Sequence, residues 1–393
     1  MKKTLLENTD LQSLVCNIDW EFKDANTQYL THNLHRYSGK FIPQIAKSAI
    51  ELLTQPGDTI LDPYMGSGTT LVEAVLLNRF SIGIDLNPLA VLIAQAKVTP
   101  IEREKLDFLI TTFTDLCESL DLYFEPSIFN PPLSNIEELV EEARKDFRFT
   151  NDWFTKWFQE KVLLQLIVIK RAIDSISDLD CRNLATVAFS NILRRSSNAH
   201  SGYPNVMYDK NAKERPLPAM VFLQSLKESV AMVESLDYLK FKSFKPRIYL
   251  CDNNNMPIPD NTIDAIITHP PYIGAIPYAE YGMLSLGWLG YNWRELDEKL
   301  TGGKRQSKNV VHRFKVGYTR MLQESYRVLK PGKKMFLLVG NPVVKGEVVD
   351  LGEMTKNLAT EVGFSLIAES TRMGTNRRAN KMGNEVLLFF QKN

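Results

Sequence analysis

Two adjacent prolines end an apolar run near the middle of the chain. Residues 264–268 (DAIIT) have the composition of a buried strand, and His269, Pro270, Pro271 and Tyr272 follow directly. Proline cannot donate a hydrogen bond to a sheet, so the pair stops the strand. The same rings fix the backbone and leave rigid carbonyl acceptors with no competing N–H donor. This pattern indicates a strand end that presents acceptors and an aromatic ring to a reacting group.

A glycine-rich loop is the second chemical signal. Residues 62–70 read DPYMGSGTT, and Gly66 and Gly68 lie just before a helical run. Glycines at such a turn let a ligand approach the backbone, and the first N–H groups of the helix are unpaired. Asp85 ends the next strand about 20 residues after Asp62, where an acidic residue typically binds ribose hydroxyls. A tight turn with a helix cap is the alternative, but it does not account for an acid at this spacing.

These residues need a scaffold of alternating strands and helices. Apolar spacing predicts helices over residues 43–53, 69–77, 88–97, 161–173 and 183–193. Strand patterns occur over residues 59–62, 80–86, 247–252, 262–268, 335–340, 364–370 and 385–391. The alternation predicts an α/β fold, Rossmann-like, with a mostly parallel seven-stranded sheet. Residues 101–244 are largely helical in pattern, which predicts a helical insertion in that fold.

Composition limits the classes of protein. The 393 residues are 44% hydrophobic and carry a net charge of +1, so a nucleic-acid surface would have to be a local patch. No apolar run reaches about 18 residues, so we expect neither a membrane span nor a signal peptide. The four cysteines lie far apart, which excludes zinc-ligand spacing, and we expect no metal. Free thiols in the cytoplasm are the default expectation.

The motifs together resemble those of a known enzyme family. DPYMGSGTT is similar to the S-adenosylmethionine-binding motif of the DNA amino-methyltransferases, and HPPY (269–272) is similar to their catalytic motif, which begins with Asp, Asn or Ser. The stretch 35–43 (HRYSGKFIP) resembles the family's segment that closes over the methionine end of the cofactor. The resemblance covers residues 32–98 and 247–393. It implies a class I methyltransferase fold, S-adenosyl-L-methionine as cofactor and double-stranded DNA as partner.

The resemblance also implies roles in binding the cofactor. Asp62 would face its amino group, Asp85 would hold its ribose, and Asp252 would lie beside its adenine, although Asp252 also fits an ordinary strand-end turn. The implied cofactor-binding set is Tyr37, Lys40, Phe41, Asp62, Pro63, Tyr64, Gly66, Ser67, Gly68, Thr69, Thr70, Asp85, Asn87 and Asp252.

The implied catalytic residues are His269, Pro270, Pro271 and Tyr272. Methylation of an exocyclic amino group needs acceptors around the NH₂ group that free the nitrogen lone pair, and proline carbonyls can supply them. The target base lies inside a duplex, so it must be flipped out and held by stacking. Tyr272 is the expected stacking partner.

His269 departs from the family pattern. A neutral imidazole accepts through one nitrogen, whereas a protonated imidazole cannot accept. Activity is therefore expected to fall below the pKa of His269, which is roughly 6.5 if unperturbed. The alternative is that His269 points away and the Pro270 carbonyl serves alone.

Basic residues concentrate in three stretches, at 194–215, 301–320 and 371–383. Each alone could be solvated surface charge, but three on a near-neutral chain favour contact with a phosphate backbone. The expected DNA-binding residues are Arg194, Arg195, Lys304, Arg305, Lys308, Arg313, Arg377 and Arg378.

The expected organisation is a lead-in over residues 1–30, a catalytic domain over 31–100 plus 245–393, and the insertion over 101–244. In the resembled family this motif order places target recognition in the insertion; a helical cover over the sheet is the alternative. An aromatic cluster in the insertion has helical spacing, which predicts core or a dimer contact. Its members are Trp153, Phe154, Trp157 and Phe158.

Cytosine N4 is the favoured target, because Thr268 precedes HPPY as in the Thr-Ser-Pro-Pro-Tyr form of cytosine-N4 enzymes. The alternatives are adenine N6, guanine N2 of RNA, and a non-catalytic DNA-binding subunit of a restriction or defence complex. Ring-carbon methylation of cytosine is set aside, since no cysteine follows a proline. A cognate restriction endonuclease is a candidate partner, and the chain could act as a monomer or a homodimer.

Overall fold

A seven-stranded sheet, in the order β3-β2-β1-β4-β5-β9-β8, is the scaffold of the molecule. The computed structural model describes residues 11–40, 42–125, 135–203, 205–274, 276–303, 307–344, 346–373 and 384–393. The strands are β1 (Thr59–Asp62), β2 (Phe80–Asp85), β3 (Arg247–Leu250), β4 (Ile263–Thr268), β5 (Leu329–Gly340), β6 (Val343–Val344), β7 (Glu347–Val348), β8 (Phe364–Arg372) and β9 (Glu385–Lys392). In this sheet β9 is antiparallel to β5 and β8 and the other neighbours pair in parallel, while β6 and β7 form a separate antiparallel pair. The predicted Rossmann-like, mostly parallel seven-stranded sheet is confirmed.

Helices lie between and beyond these strands. They are α1 (Pro43–Leu53), α2 (Thr69–Leu76), α3 (Pro88–Val98), α4 (Arg103–Phe124), α5 (Ile136–Arg144), α6 (Asp152–Trp157), α7 (Glu160–Asp174), α8 (Leu179–Ser196), α9 (Pro218–Glu234), α10 (Tyr238–Ser243), α11 (Tyr278–Tyr281), α12 (Met283–Trp288), α13 (Trp293–Lys299), α14 (Val310–Val328) and α15 (Leu351–Val362). A 3₁₀-helix, Leu30–Asn33, precedes α1, and residues 11–16 are also helical.

The central strands are apolar throughout because both faces of the sheet are covered. All six residues of β4 are buried. One face packs on α14 and α15, and the other packs on α1 and the helical residues 11–16. Parallel strands that are covered on both faces have continuous apolar sequences, so these strands could be predicted from the sequence.

Strand β5 begins earlier than the apolar run at 335–340, because it includes a Lys-Pro-Gly sequence at 330–332. Ile263 of β4 pairs with Leu329, whereas Ala265 pairs with Lys334, so the extra residues of β5 form an irregularity in the ladder. Gly332, with φ of +74°, supplies the left-handed conformation that this bend requires.

The insertion shares one hydrophobic core with the catalytic part. Side chains of α4 to α9 pack with those of α2, α3 and α12 in a single cluster. Trp288 of α12 lies at its centre, stacked on Phe149 with ring centroids 4.7 Å apart. Phe154, Trp157 and Phe158 are buried in the same cluster. The core position predicted for the aromatic cluster holds for these three residues, and Trp153 packs against them partly buried.

Candidate active site

A cavity with about 650 Å³ of empty space lies at the carboxyl ends of the parallel strands. Strand β1 separates β2 on one side from β4 on the other, and such a reversal of strand order is where α/β sheets bind ligands. The cavity is lined by Tyr37, Gly39, Pro63, Tyr64, Gly66, Asp85, Leu86, Asn87, Asp252, Asn253, His269, Pro271, Tyr278, Lys299, Leu300 and Thr301. The cofactor motif and the catalytic motif therefore share one cavity.

The two glycines of the loop after β1 have different tasks. Both have positive φ, +50° at Gly66 and +80° at Gly68. The N–H of Gly66 donates to Oδ2 of Asp85 at 2.9 Å, which ties the loop to the end of β2. A Cβ atom on Gly68 would lie only 2.9 Å from Cβ of Ala94. Gly68 thus permits close packing of the loop on α3, and Gly66 alone of the pair lines the cavity.

Asp85 is held rigidly at the cavity wall. Its second carboxylate oxygen, Oδ1, accepts from the N–H of Asn87 at 2.8 Å. Burial raises the pKa of Asp85 to about 6, and its backbone hydrogen bonds oppose that rise. Asn87 in turn caps α3 by accepting from the N–H of Leu89. A carboxylate has about four lone-pair positions, and Asp85 accepts from three backbone N–H groups, those of Gly66, Leu86 and Asn87, so it keeps acceptor capacity for a ligand hydroxyl.

Asp62 connects the glycine loop to the strand that carries the HPPY motif, from a position outside the cavity. It is 1% exposed and does not line the cavity. Its Oδ1 accepts from the hydroxyl of Thr268 at 2.6 Å and from the N–H of Tyr64 at 3.1 Å. Burial raises the pKa of Asp62 to about 6. Thr268 immediately precedes the catalytic motif, so this bond sets β1 and β4 relative to each other.

Aromatic rings line the cavity beside the glycine loop, since a Cβ atom on Gly66 would lie 3.4 Å from Cε1 of Tyr37. Tyr37 and Tyr278 lie with their ring centroids 6.4 Å apart and their planes at 28°. The hydroxyl of Tyr37 accepts from Nδ2 of Asn87 at 3.5 Å. Lys40, from the same segment, instead donates to the carbonyl of His32 at 2.7 Å and does not line the cavity.

The predicted cofactor-binding residues divide into those that line the cavity and those that do not. Tyr37, Pro63, Tyr64, Gly66, Asp85, Asn87 and Asp252 line the cavity, whereas Lys40, Asp62, Ser67, Gly68, Thr69 and Thr70 lie behind it. Ser67 accepts from the buried ammonium group of Lys97 at 3.2 Å. Asp252 is exposed and accepts from the N–H of Asn254. Phe41 lies outside the described residues.

Tyr272 of the catalytic motif is packed inside the protein. It is 3% exposed, and its ring lies against Gly340, where a Cβ atom would be 2.8 Å from Cε1 of the ring. The hydroxyl donates to Oε1 of Glu385 at 2.6 Å. The stacking role predicted for Tyr272 would therefore require the ring to leave this position. His269 and Pro271 line the cavity, and Pro270 is buried.

His269 reaches both the cavity and Tyr272. Its Nε2 lies 2.6 Å from the hydroxyl of Tyr272. Burial lowers the pKa of His269 to about 4, while the Glu385 carboxylate and a backbone hydrogen bond to Gly39 oppose that change. Because burial keeps the imidazole neutral well below pH 6.5, the expected fall in activity moves to a lower pH than for an unperturbed histidine. His269 lines the cavity, as its predicted role as an acceptor requires.

The basic residues expected to bind DNA differ in their surroundings. Arg194 donates to the carbonyls of Tyr203 and Asn205, so it holds the following loop in place. Arg195 and Lys308 are exposed, and Arg313 donates to the carbonyl of Glu298 at 2.7 Å. The other expected residues, Lys304, Arg305, Arg377 and Arg378, lie outside the described part of the chain.

Two of the basic stretches begin beside the catalytic motif. Gly302 packs on it, since a Cβ atom there would lie 3.6 Å from the carbonyl oxygen of Tyr272 and 3.9 Å from Cβ of Pro271. Arg372, at the end of β8, donates to Oε2 of Glu385 at 2.7 Å.

A second cavity, with about 750 Å³ of empty space, adjoins the first. It shares Tyr37 and Tyr278 with the first cavity, and α8 of the insertion contributes Ser190, Asn191 and Arg194 to its wall. The insertion therefore reaches the neighbourhood of the site.

Several site residues gave no signal in the sequence. Lys299, Leu300 and Thr301 line the cavity from a segment without periodicity, and Tyr278 lies six residues beyond Tyr272. Glu385 reads as the first residue of a strand. Sheet order, which brings β9 beside β5, is what places it near Tyr272.

The described residues contain neither a metal-ligand cluster nor a membrane-spanning helix. Within that part of the chain, no group of three or more His, Cys, Asp or Glu side chains is arranged to hold a metal ion. No helix in the same residues is long and apolar enough to cross a membrane.

Comparisons with known proteins agree with the motif geometry. A family described as DNA methylase matches residues 7–96. The Type II methyltransferase M.MvaI of Kocuria varians is 28% identical, over 82% of this chain and 80% of that protein. The Type II methyltransferase M.MjaII of Methanocaldococcus jannaschii is 24% identical, over 93% and 82%. A solved S-adenosylmethionine-dependent methyltransferase from Methanosarcina mazei aligns with a TM-score of 0.33 and 11% identity, over 88% of this chain and 96% of that one.

The family match covers the glycine loop and Asp85, and the two relatives extend over the catalytic motif as well. The chain is thus similar to DNA methylases and Type II methyltransferases over both of the motifs that meet in the cavity.

Proposed function

We propose that this protein is a site-specific DNA methyltransferase that transfers a methyl group from S-adenosylmethionine to an exocyclic amino group of a flipped base, with cytosine N4 favoured. The observation that carries the proposal is the single cavity that has Asp85 at one end and His269 with Pro271 at the other. A carboxylate suited to ribose and acceptors suited to an amino group thus face the same space.

The cavity fits the cofactor chemically. Asp85 has free acceptor capacity beside the loop, Tyr37 and Tyr278 offer apolar faces, and Asp252 with Asn253 offers polar atoms at the far wall. When bound there, S-adenosylmethionine supplies an electrophilic methyl group. Asp85 would hold its ribose, and Gly66 would let the loop approach it closely.

The protein's own contribution at the reacting nitrogen is a set of fixed acceptors. Proline carbonyls at 270 and 271 cannot rotate away, and the buried imidazole of His269 stays neutral and able to accept. Acceptors around the NH₂ group favour a tetrahedral nitrogen with its lone pair available for attack. No strong base is needed before the new bond forms.

DNA would approach from the side of Gly302 and Arg372. Lys308 and Arg313 lie on the segment that follows Gly302, and we assign them to phosphate contacts. We assign target recognition to the insertion, residues 101–244, because α8 contributes to the adjoining cavity.

The preference for cytosine N4 rests on the resemblance of Thr268 and HPPY to the cytosine-N4 motif. Thr268 itself donates to Asp62, so it acts on the scaffold and not on the base. The relatives are named as Type II methyltransferases, which supports a modification enzyme that accompanies a restriction endonuclease.

Transfer of radiolabelled methyl groups tests the substrate class. The full-length protein, labelled S-adenosylmethionine and unmethylated bacterial genomic DNA should give label in DNA, with none in a matched tRNA sample. The Asp85→Ala variant serves as the control for background. Label in tRNA and not in DNA would reject the proposal.

A further inference from the structure

The ring of Tyr272 in the catalytic motif is occupied by the protein's own packing. It is 3% exposed and lies against Gly340. Its hydroxyl is in hydrogen-bond contact with Glu385 and with Nε2 of His269. A base of duplex DNA reaches an enzyme's catalytic groups by flipping out, and it is then held by stacking on aromatic or apolar side chains. Another ring beside the motif is therefore needed to provide that surface.

Tyr278 is a ring in the right place. It lines both the first and the second cavity, so it lies on the border between them. A Cβ atom on Gly39 would lie 2.7 Å from the hydroxyl oxygen of Tyr278, so the ring packs against the backbone of Gly39. That backbone is hydrogen-bonded to His269, which places Tyr278 next to the motif. No hydrogen bond within the described residues holds the hydroxyl of Tyr278, in contrast to that of Tyr272.

The two cavities differ in charge. Two carboxylates and one ammonium group line the first cavity, those of Asp85, Asp252 and Lys299. Among the described residues no acidic side chain lines the second cavity, whereas Arg36 and Arg194 both do. Burial, and then the nearby charge of Arg36, lower the pKa of Arg194, so two guanidinium groups lie close together there. S-adenosylmethionine has a net positive charge, which suits the first cavity, and a nucleotide of DNA carries a phosphate, which suits the second.

We propose that the flipped base occupies the second cavity, stacked on Tyr278, with its exocyclic amino group directed toward the HPPY motif at the border of the first cavity. This inference rests on the proposed function, in which the base is methylated at that motif. The second cavity has about 750 Å³ of empty space, which is within the size range of ligand pockets. Cofactor and base would then lie in separate cavities that meet at Tyr278.

Asn191 of α8 gives the insertion a contact with the base. Its Nδ2 donates to the carbonyl oxygen of Leu34 at 2.8 Å, which fixes the orientation of the amide. The second hydrogen of Nδ2 and the oxygen Oδ1 remain, since Asn191 makes no other hydrogen bond within the described residues. Such an amide can donate and accept along one edge of a base. Nearby in the wall, Ser190 lies 2.8 Å from Nε2 of His35 and 2.7 Å from the hydroxyl of Ser285, so these polar groups are paired with one another.

Methyl transfer to unmethylated bacterial genomic DNA, measured with the full-length protein at saturating S-adenosylmethionine, tests the site. Stacking of a base on an aromatic ring changes an equilibrium constant by about 5- to 150-fold. Tyr278→Leu should lose about this factor in kcat/KM for DNA, and Tyr278→Phe, which keeps the ring, should recover most of the loss. The Kd for S-adenosylmethionine, measured by calorimetry, should change by a smaller factor than kcat/KM. Tyr291→Leu is the matched control, since Tyr291 is 45% exposed and lines neither cavity.

Three results would overturn the inference while the wild type is active. They are equal kcat/KM values for Tyr278→Leu and Tyr291→Leu, a loss confined to the Kd for S-adenosylmethionine, and a loss in Tyr278→Phe as large as that in Tyr278→Leu. If Tyr278→Leu does not fold, as judged by its thermal transition, Asn191→Ala is measured instead. It should also lose more in kcat/KM for DNA than in the Kd for the cofactor, and an unchanged kcat/KM would overturn the inference. Absence of methyl transfer by the wild type would reject the proposed function and the inference with it.

Discussion

The hydroxyl of Tyr272 donates to Glu385 at 2.6 Å, although the two residues are 113 positions apart in the chain. The contact exists because β9 inserts between β5 and β8, so that its first residue lies near the carboxyl end of β4. It connects the catalytic motif to the ends of β8 and β9, beside one of the basic stretches. The catalytic tyrosine is therefore part of the buried scaffold as well as of the motif.

The dependence of cofactor binding on pH should differ from that of the chemical step. The pKa values of Asp62 and Asp85 are raised to about 6, so both carboxyls gain protons as pH falls through that value and lose acceptor strength. His269, with a pKa of about 4, stays neutral over the same range. We expect the Kd for S-adenosylmethionine, measured by calorimetry, to rise below pH 6. The kcat at saturating substrates should stay level from pH 8 to 5.5, and a fall centred near pH 6.5 would contradict the assignment of His269.

Replacement of Asp85 should weaken cofactor binding more than it weakens the fold. The carboxylate accepts from Gly66 and Asn87 and would also hold the ribose. Loss of hydrogen bonds to a charged group costs about 1.5–3 kcal/mol, which is roughly 10- to 150-fold in Kd. Calorimetry of Asp85→Ala tests this, with Asp107→Ala on the exposed face of α4 as the control. Equal affinities in the two variants would show that Asp85 does not hold the cofactor.

Gly340→Ala should impair the chemical step and leave cofactor binding intact. The new Cβ atom would lie 2.8 Å from the ring of Tyr272, so the ring must move and its contacts with Glu385 and His269 are disturbed. Overpacking of this kind costs about 1–3 kcal/mol of stability. Thermal unfolding, Kd and kcat are compared with those of Gly202→Ala, where no atom lies within 4 Å. An unchanged kcat in a folded Gly340→Ala protein would argue against a role for the position of Tyr272.

The exposed Lys308, on the basic segment that follows Gly302, should contribute to the salt dependence of DNA binding. If Lys308 contacts a phosphate, Lys308→Gln should lower the slope of log Kd against log salt by about 0.9. Lys245 precedes β3, at the opposite edge of the sheet, and Lys245→Gln should leave the slope unchanged. Fluorescence anisotropy with a duplex probe measures both. Equal slopes for the two variants would remove Lys308 from the DNA surface.

The sequence predicted most of the scaffold because its signals are local. Apolar runs such as β4 mark strands that are buried on both faces, and Asp85 follows the glycine loop at a spacing that the fold imposes. The predicted seven strands all occur in the sheet. The start of β5 was placed too late, because the Lys-Pro-Gly sequence at 330–332 has the composition of a turn but lies in an irregularity of the strand.

The other features depend on contacts between distant segments. Tyr278 and Thr301 line the cavity only because their loops fold over the ends of the strands. The burial of Tyr272 against Gly340 follows from the order of strands and not from the motif. The lowered pKa of His269 has the same origin, since burial is a tertiary property that the motif does not reveal.

The central claim is that a methyl group is placed on the exocyclic nitrogen of a DNA base by the cavity that joins Asp85 to His269. Mass spectrometry of nucleosides, from unmethylated duplex DNA incubated with the protein and S-adenosylmethionine, tests it most directly. The account predicts N4-methylcytosine, and its loss in Asp85→Ala. N6-methyladenine would retain the mechanism and reverse the base, whereas 5-methylcytosine, or cofactor binding with no methylated nucleoside from any genomic DNA, would contradict the account.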